Sequence, residues 1–285
     1  MRMSDFVSKL DKIDHRWLYI LSIICIIIPI VSPLGLPMKI SKPTRAFYNV
    51  IESLPDGSIV VYEEGSIAGQ YDVTRAACIS ALKLVFSRPL KLIVFCDSSD
   101  GPVLFKDMMS RIDPERSYGK VYGEDYVVFG FAPGGETASA SFATDMRKTL
   151  PTDQYGESVD QIPMMNGINS AEDVDLIMQT FVGCYNCDWI VRQWVVPYGT
   201  TYVGITAECC APMIAAYYPA SCEGYLSGSM GATELEVLTK TPGEGATVSD
   251  AKNLGIIPMI LFIVLGNIAY FSKKYGKEEV KEEEK

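Results

Sequence analysis

The chain has 285 residues, 35 acidic against 25 basic, and a net charge of −10 at neutral pH. Setting aside 4 basic and 3 acidic residues before Trp17, and 5 of each after Ser272, leaves 16 basic and 27 acidic residues between, a net of −11. A middle this acidic repels phosphate backbones and argues against nucleic acid as a partner. The only histidine is His15, near the amino terminus, so the middle of the chain can build no Ser-His-Asp triad, Cys-His pair or histidine-ligated zinc centre.

The chain opens with a short flank, residues 1–16, carrying Arg2, Lys9, Lys12 and Arg16. From Trp17 to Met38 no residue is charged and most are Ile, Leu or Val, which predicts a transmembrane helix over 17–38. The run exceeds a signal-peptide h-region and no A-x-A site follows it, so a retained anchor is expected. A second uncharged stretch predicts another span over 253–272, followed by a charged tail, 273–285, with Lys273, Lys274, Lys277, Lys281 and Lys285. Trp17, Tyr19, Tyr270 and Phe271 stand at the span edges, where aromatic rings anchor. Two spans put both termini on one side. Their Lys/Arg content places them in the cytoplasm and residues 39–240 outside, although Lys39, Lys42 and Arg45 just past the first span pull the other way. The Gly- and Pro-containing stretch 241–252 reads as a flexible stalk.

Residues 39–240 are long enough for one substantial core. Five short apolar runs read as strands: Ser58–Tyr62, Leu90–Cys96, Tyr126–Phe131, Asp175–Val182 and Tyr202–Thr206. They lack clean alternation, as strands buried on both faces do. Helical patterns separate them: one opening at Asp72, then Pro102–Ile112, Thr137–Leu150, Asp188–Val196, Ala211–Tyr218 and Glu223–Leu238. Pro151–Asn169 reads as a long surface loop. Alternating strand and helix predicts a doubly wound, mainly parallel α/β domain.

In such a sheet the loops after strands gather along one edge, where ligands bind. Those loops bring Glu63, Asp97, Ser98, Gly134, Gly135 and Glu208 forward as candidate cofactor- or ligand-binding residues, with Asp100 a further acid on the same edge. Pro133-Gly134-Gly135-Glu136 opens a helix but matches neither G-x-G-x-x-G nor the P-loop, and reads first as a structural turn. Paired-carboxylate catalysis stays open; no catalytic residue can be named from spacing.

Eight cysteines give the sharpest compositional signal. Cys25 falls in the first span and Cys78 in an apolar helix, while Cys96, Cys184, Cys187, Cys209 and Cys210 fall at strand ends and Cys222 shortly after. Three readings compete. Outside the cytoplasm, disulfides among Cys96, Cys184, Cys187, Cys209, Cys210 and Cys222 are the default. Cys184, Cys187, Cys209 and Cys210 would instead supply four sulfurs to zinc or an iron–sulfur centre. The C-x-x-C of Cys184 and Cys187 would also serve as a redox dithiol, with Cys187 in the first turn of a helix.

The stretches GITAECCAPMIAAYYPASCEGYLSGSMGATELE and IPMMNGINSAEDVDLIM resemble a group of uncharacterised prokaryotic membrane-anchored proteins. That resemblance implies anchoring in a prokaryotic plasma membrane and assigns no activity. The expectation for function is therefore an extracytoplasmic binding or assembly module, associated with other membrane subunits or with copies of itself. The alternative is a thiol-based redox or metal protein.

Overall fold

The computed structural model describes residues 15–32, 34, 38–183 and 186–283. The basic residues of the amino-terminal flank before Arg16, together with Cys184 and Tyr185, lie outside that range. The chain divides into two compact units, Pro37–Gly245, and Met1–Leu36 together with Ala246–Lys285.

The Pro37–Gly245 unit is built on a six-stranded sheet with every described pairing parallel. Its strands are β1 (Ile59–Gly65), β2 (Lys91–Cys96), β3 (Tyr126–Phe131), β4 (Leu176–Phe181), β5 (Thr201–Thr206) and β6 (Gly224–Ser227), in the order β3-β2-β1-β4-β5-β6. The order reverses between β1 and β4, which makes that pair the topological switch point of the sheet.

The helices of the unit are α2 (Lys42–Ser53), α3 (Tyr71–Phe86), α4 (Gly101–Ile112), α5 (Pro114–Tyr118), α6 (Glu136–Thr144) and α7 (Met146–Thr149). Then come α8 (Cys187–Ile190), a π-helical turn at Val191–Val195, α9 (Val196–Tyr198), α10 (Ala211–Ala215) and α11 (Gly228–Thr239). Successive strand residues point to opposite faces, and the core divides accordingly. Val60, Tyr62, Leu92, Val94, Met178 and Val203 pack with α2, α3 and α11 on one face. Ile59, Val61, Ile93, Phe95, Ile177 and Tyr202 pack with α6, α8 and the 151–174 segment on the other. Burial on both faces explains why these strands read as continuous apolar runs.

Four differences from the sequence reading have physical causes. The pattern Glu223–Leu238 is not one helix: Gly224–Ser227 forms the edge strand β6 and the helix begins at Gly228. A Cβ on Gly224 would stand 2.2 Å from the backbone nitrogen of Phe47, so glycine lets α2 lie against β6 and cover the sheet edge. Thr137–Leu150 breaks at Asp145, whose extended backbone and side chain cap α7. Pro151–Asn169 is not a loop lying over the surface: Val159, Ile162, Met164, Met165 and Ile168 are buried in the core, and Arg147 donates to the carbonyls of Met165 and Ile168. The expected stalk is helical from Glu244 onward.

In the other unit, α1 (His15–Val31) ends before the Pro33 position and its apolar part, Tyr19–Val31, covers only about 20 Å at 1.5 Å per residue. Proline disfavours helix in the residue before it, which is why the first run stops short of Met38. The last helix, α12 (Glu244–Glu283), has one stretch, Glu244–Phe271, long and apolar enough to cross a membrane. One helix meets that requirement among the described residues, where two were expected. A Cβ on Gly255 would lie 3.0 Å from Ile26, so α1 and α12 pack together, and Leu34 N donates to Asp250 at 2.8 Å.

Candidate functional site at the carboxyl edge

The carboxyl ends of β1 and β2 carry three acids, Glu63, Glu64 and Asp97. Because β1 is fully buried, neither glutamate reaches solvent along the strand, and the two point to opposite faces of the sheet. Each is held by its own hydrogen-bond network.

Glu63 faces α6 and α8. It accepts from Ser139 Oγ at 2.8 Å, Trp189 Nε1 at 3.0 Å and Gln179 Nε2 at 3.2 Å. Gln179 in turn accepts from Tyr202 Oη at 2.9 Å, and Ser139 accepts from Trp194 Nε1 at 3.0 Å. Burial raises the Glu63 carboxyl well above the ordinary range, and these donors offset part of the rise.

Glu64 faces α3. It accepts from the Tyr62 hydroxyl and from the Ser66 backbone nitrogen at 3.0 Å. Tyr62 Oη also lies 2.7 Å from Thr180 Oγ1, which lies 3.3 Å from Cys78 Sγ. Burial pushes Glu64 up to about 7 despite its donors, and the Cys78 thiol up to about 12. Tyr62 is likewise raised, first by burial and then by the neighbouring Cys78 and Glu64.

Asp97 lies over Gly65: a Cβ there would stand 2.7 Å from Asp97 Oδ1 and 2.5 Å from the Thr180 carbonyl, so only glycine admits the close approach. The Asn186 side chain hydrogen-bonds Asp97, whose carboxyl is nonetheless raised, by burial first and by the charges of Glu63 and Glu64 next. Its Oδ1 is buried with no protein partner, as is Thr206 Oγ1 at the end of β5. Buried polar atoms without partners are uncommon in folded proteins.

The remaining candidates divide. Ser98 accepts from Asp100 N at 3.2 Å, and Asp100 accepts from Ala68 N at 2.9 Å, tying the loops after β1 and β2 together. A Cβ on Gly135 would stand 3.5 Å from the Trp189 ring, and Glu136 is paired with Arg192, which also pairs with Asp188. A Cβ on Gly134 would stand 3.5 Å from the Ala138 side chain, and the positive φ of Gly134 suits glycine in this turn. Glu208 accepts from Ser229 of α11 at 2.8 Å. Sequence reasoning missed Tyr62, Ser139, Gln179, Thr180, Trp189 and Tyr202. A cavity of about 660 Å³ runs beside Ala132, Pro133, Thr137, Ser141 and Lys148, but none of the three acids lines it.

The cysteines do not meet as one rim. No disulfide joins the seven described cysteines, Cys25, Cys78, Cys96, Cys187, Cys209, Cys210 and Cys222. Cys78 is in the core on the α3 face; Cys187, Cys210 and Cys222 are in the core on the other. The adjacent pair Cys209 and Cys210 has its sulfurs 3.7 Å apart, against about 2.05 Å in a disulfide. Disulfides among Cys96, Cys187, Cys209, Cys210 and Cys222 are therefore not formed; Cys184 lies outside the described residues. No three His, Cys, Asp or Glu side chains among the described residues converge as a metal site.

Fold and site together define a doubly wound α/β domain with a buried acidic cluster at its switch point, without the glycine fingerprint of dinucleotide binding. The chain matches no protein-family model, no curated protein and no solved structure.

Proposed function

We propose that the chain is a membrane-tethered α/β binding module, part of a larger membrane assembly, that takes a small cationic or donor-rich ligand at the β1/β4 switch point. One observation carries this reading. Asp97 stands at the strand ends where open α/β sheets bind ligands, beside Glu63 on one face of β1 and Glu64 on the other, and its Oδ1 is left without a protein donor. An amine satisfies that oxygen and offsets the negative charge. A phosphate meets repulsion from all three acids. The Glu244–Phe271 stretch supports tethering. The lysines that follow the Glu244–Phe271 stretch favour a cytoplasmic carboxyl terminus and a central domain outside a prokaryotic plasma membrane.

The test uses the full chain in mild detergent, titrated calorimetrically with primary amines and amino sugars and, in parallel, with nucleoside phosphates. Amines bind, more tightly at pH 8 than at pH 5 because the carboxyls must ionise, and Asp97→Asn weakens them at least tenfold. Phosphate binding, or amine binding indifferent to Asp97→Asn, overturns the reading. Native mass in the same detergent tests the assembly: a lone monomer contradicts it.

A further inference from the structure

We infer that the ligand of the β1/β4 switch point is an elongated diamine held at both ends, by Asp97 on one lip of the crevice and by Thr206 on the other; the inference rests on the reading of that site given above. Asp97 Oδ1 and Thr206 Oγ1 are two of three buried side-chain oxygens without a partner among the described residues. The third, Thr200 Oγ1, precedes β5 at the opposite edge of the sheet.

Strand register sets the first two in one line. Asp97 N donates to the Glu64 carbonyl at 3.3 Å, which carries the β2–β1 ladder one residue past Cys96 and places Asp97 beside Gly65. Gly65 is paired with Phe181 of β4, and Phe181 with Thr206 of β5. Residues paired across a sheet point to the same face. Phe181 packs in the core with α6 and α8, so Thr206 is directed to that face too, the face of Glu63. Asp97 Oδ1 leans across β1, 2.7 Å from where a Cβ of Gly65 would stand. From Gly65 to Thr206 is two strand spacings, about 10 Å. The boundary between β1 and β4, where the crevice of such a sheet opens, falls between the two oxygens, with apolar Phe181 on the way. A single oxygen of this kind is readily satisfied by a buried water. Two at one level, on one face and on opposite lips of a ligand crevice match the two ends of one molecule. The Asp97 carboxylate calls for a cation, the Thr206 hydroxyl accepts from a second ammonium, and methylenes suit the phenyl ring between. The acidic middle of the chain favours a second positive charge over a neutral or anionic end.

The experiment is calorimetric titration of the full chain in mild detergent with α,ω-diamines from 1,3-diaminopropane to 1,10-diaminodecane, each paired with the monoamine of equal length. The ratio of diamine to monoamine affinity should peak at an intermediate length, at about tenfold or more. Thr206→Val keeps the shape and removes the hydroxyl. It should bring that ratio close to one, leave monoamine affinity within about twofold, and melt at or above the wild-type temperature, because a buried hydroxyl without a partner is gone. A ratio that is flat with length, or unchanged in Thr206→Val, overturns the proposal. So does a variant that melts lower, since the hydroxyl then already has a partner. Amines that bind through Asp97 with no effect of length sink this inference alone; amines that fail to bind at all sink the reading beneath it as well.

Discussion

Glu64 makes stability depend on pH in a direction opposite to that of an ordinary salt-bridged carboxylate. Its folded-state value is raised from 4.5 to about 7 by burial. A raised acid favours the folded state while it is protonated, so this contribution is complete below about pH 4.5 and is lost as pH rises through 7. At 1.36 kcal/mol per pH unit, a rise of about 2.5 units removes on the order of 3 kcal/mol between pH 4.5 and pH 8. Glu64→Gln isolates the effect. The amide keeps one oxygen for the Ser66 nitrogen and sets its NH2 toward the Tyr62 oxygen, where the protonated carboxyl has its O–H, but it cannot ionise. At pH 5 the variant and the wild type should melt within a few degrees of each other; at pH 8 the variant should be the more stable by most of that 3 kcal/mol. The assay is thermal unfolding of the full chain in detergent, followed by near-ultraviolet circular dichroism at half-unit steps of pH. A wild type whose stability climbs from pH 5 to pH 8, or a variant with the same slope as the wild type, refutes the reasoning.

Other expectations follow from single contacts. Asp97→Asn removes a like charge from beside Glu63, so the Glu63 carboxyl should titrate lower, read from its infrared carbonyl band. Trp189→Phe removes a donor to Glu63 and should raise that titration instead, at a stability cost of about 1 kcal/mol. Gly224→Ala sets a methyl against the α2 backbone and should cost roughly 1–3 kcal/mol, with faster hydrogen exchange in α2. Protease added to intact spheroplasts should cleave within residues 39–240 while the carboxyl-terminal tail stays protected; cleavage of the tail alone would reverse the proposed orientation.

The five strands that carry the core were legible because burial on both faces leaves an unbroken apolar run, and Tyr126–Phe131 matches to the residue. The sixth was not. Gly224–Ser227 holds two apolar residues, and Gly224 stands four residues before Gly228, a spacing common where helices pack, so local pattern favours helix and only the approach of α2 explains the strand. Glu63 and Asp97 were found by the rule that loops follow strands, but their donors were not, because Ser139, Gln179 and Trp189 come from three other elements. The cysteines misled for a related reason. Strand ends share an edge, yet side-chain parity sends neighbouring positions to opposite faces, and most of these thiols went inward.

That same parity shapes the acidic site. Two consecutive glutamates on a buried strand cannot share one network; they anchor one on each side of the sheet, and Asp97 at the neighbouring strand end senses both charges. Each carboxyl is raised by burial, so ionising any one makes the next harder, and Asp97, whose Oδ1 has no donor, bears the strain of the set. A ligand that brings positive charge to Asp97 relieves both glutamates at once. Its affinity should therefore fall in Glu63→Gln and in Glu64→Gln, although the two side chains lie on opposite faces. Calorimetric titration of both variants with the amine that binds the wild type measures this, and a loss confined to one face would show that the three acids do not act as a unit.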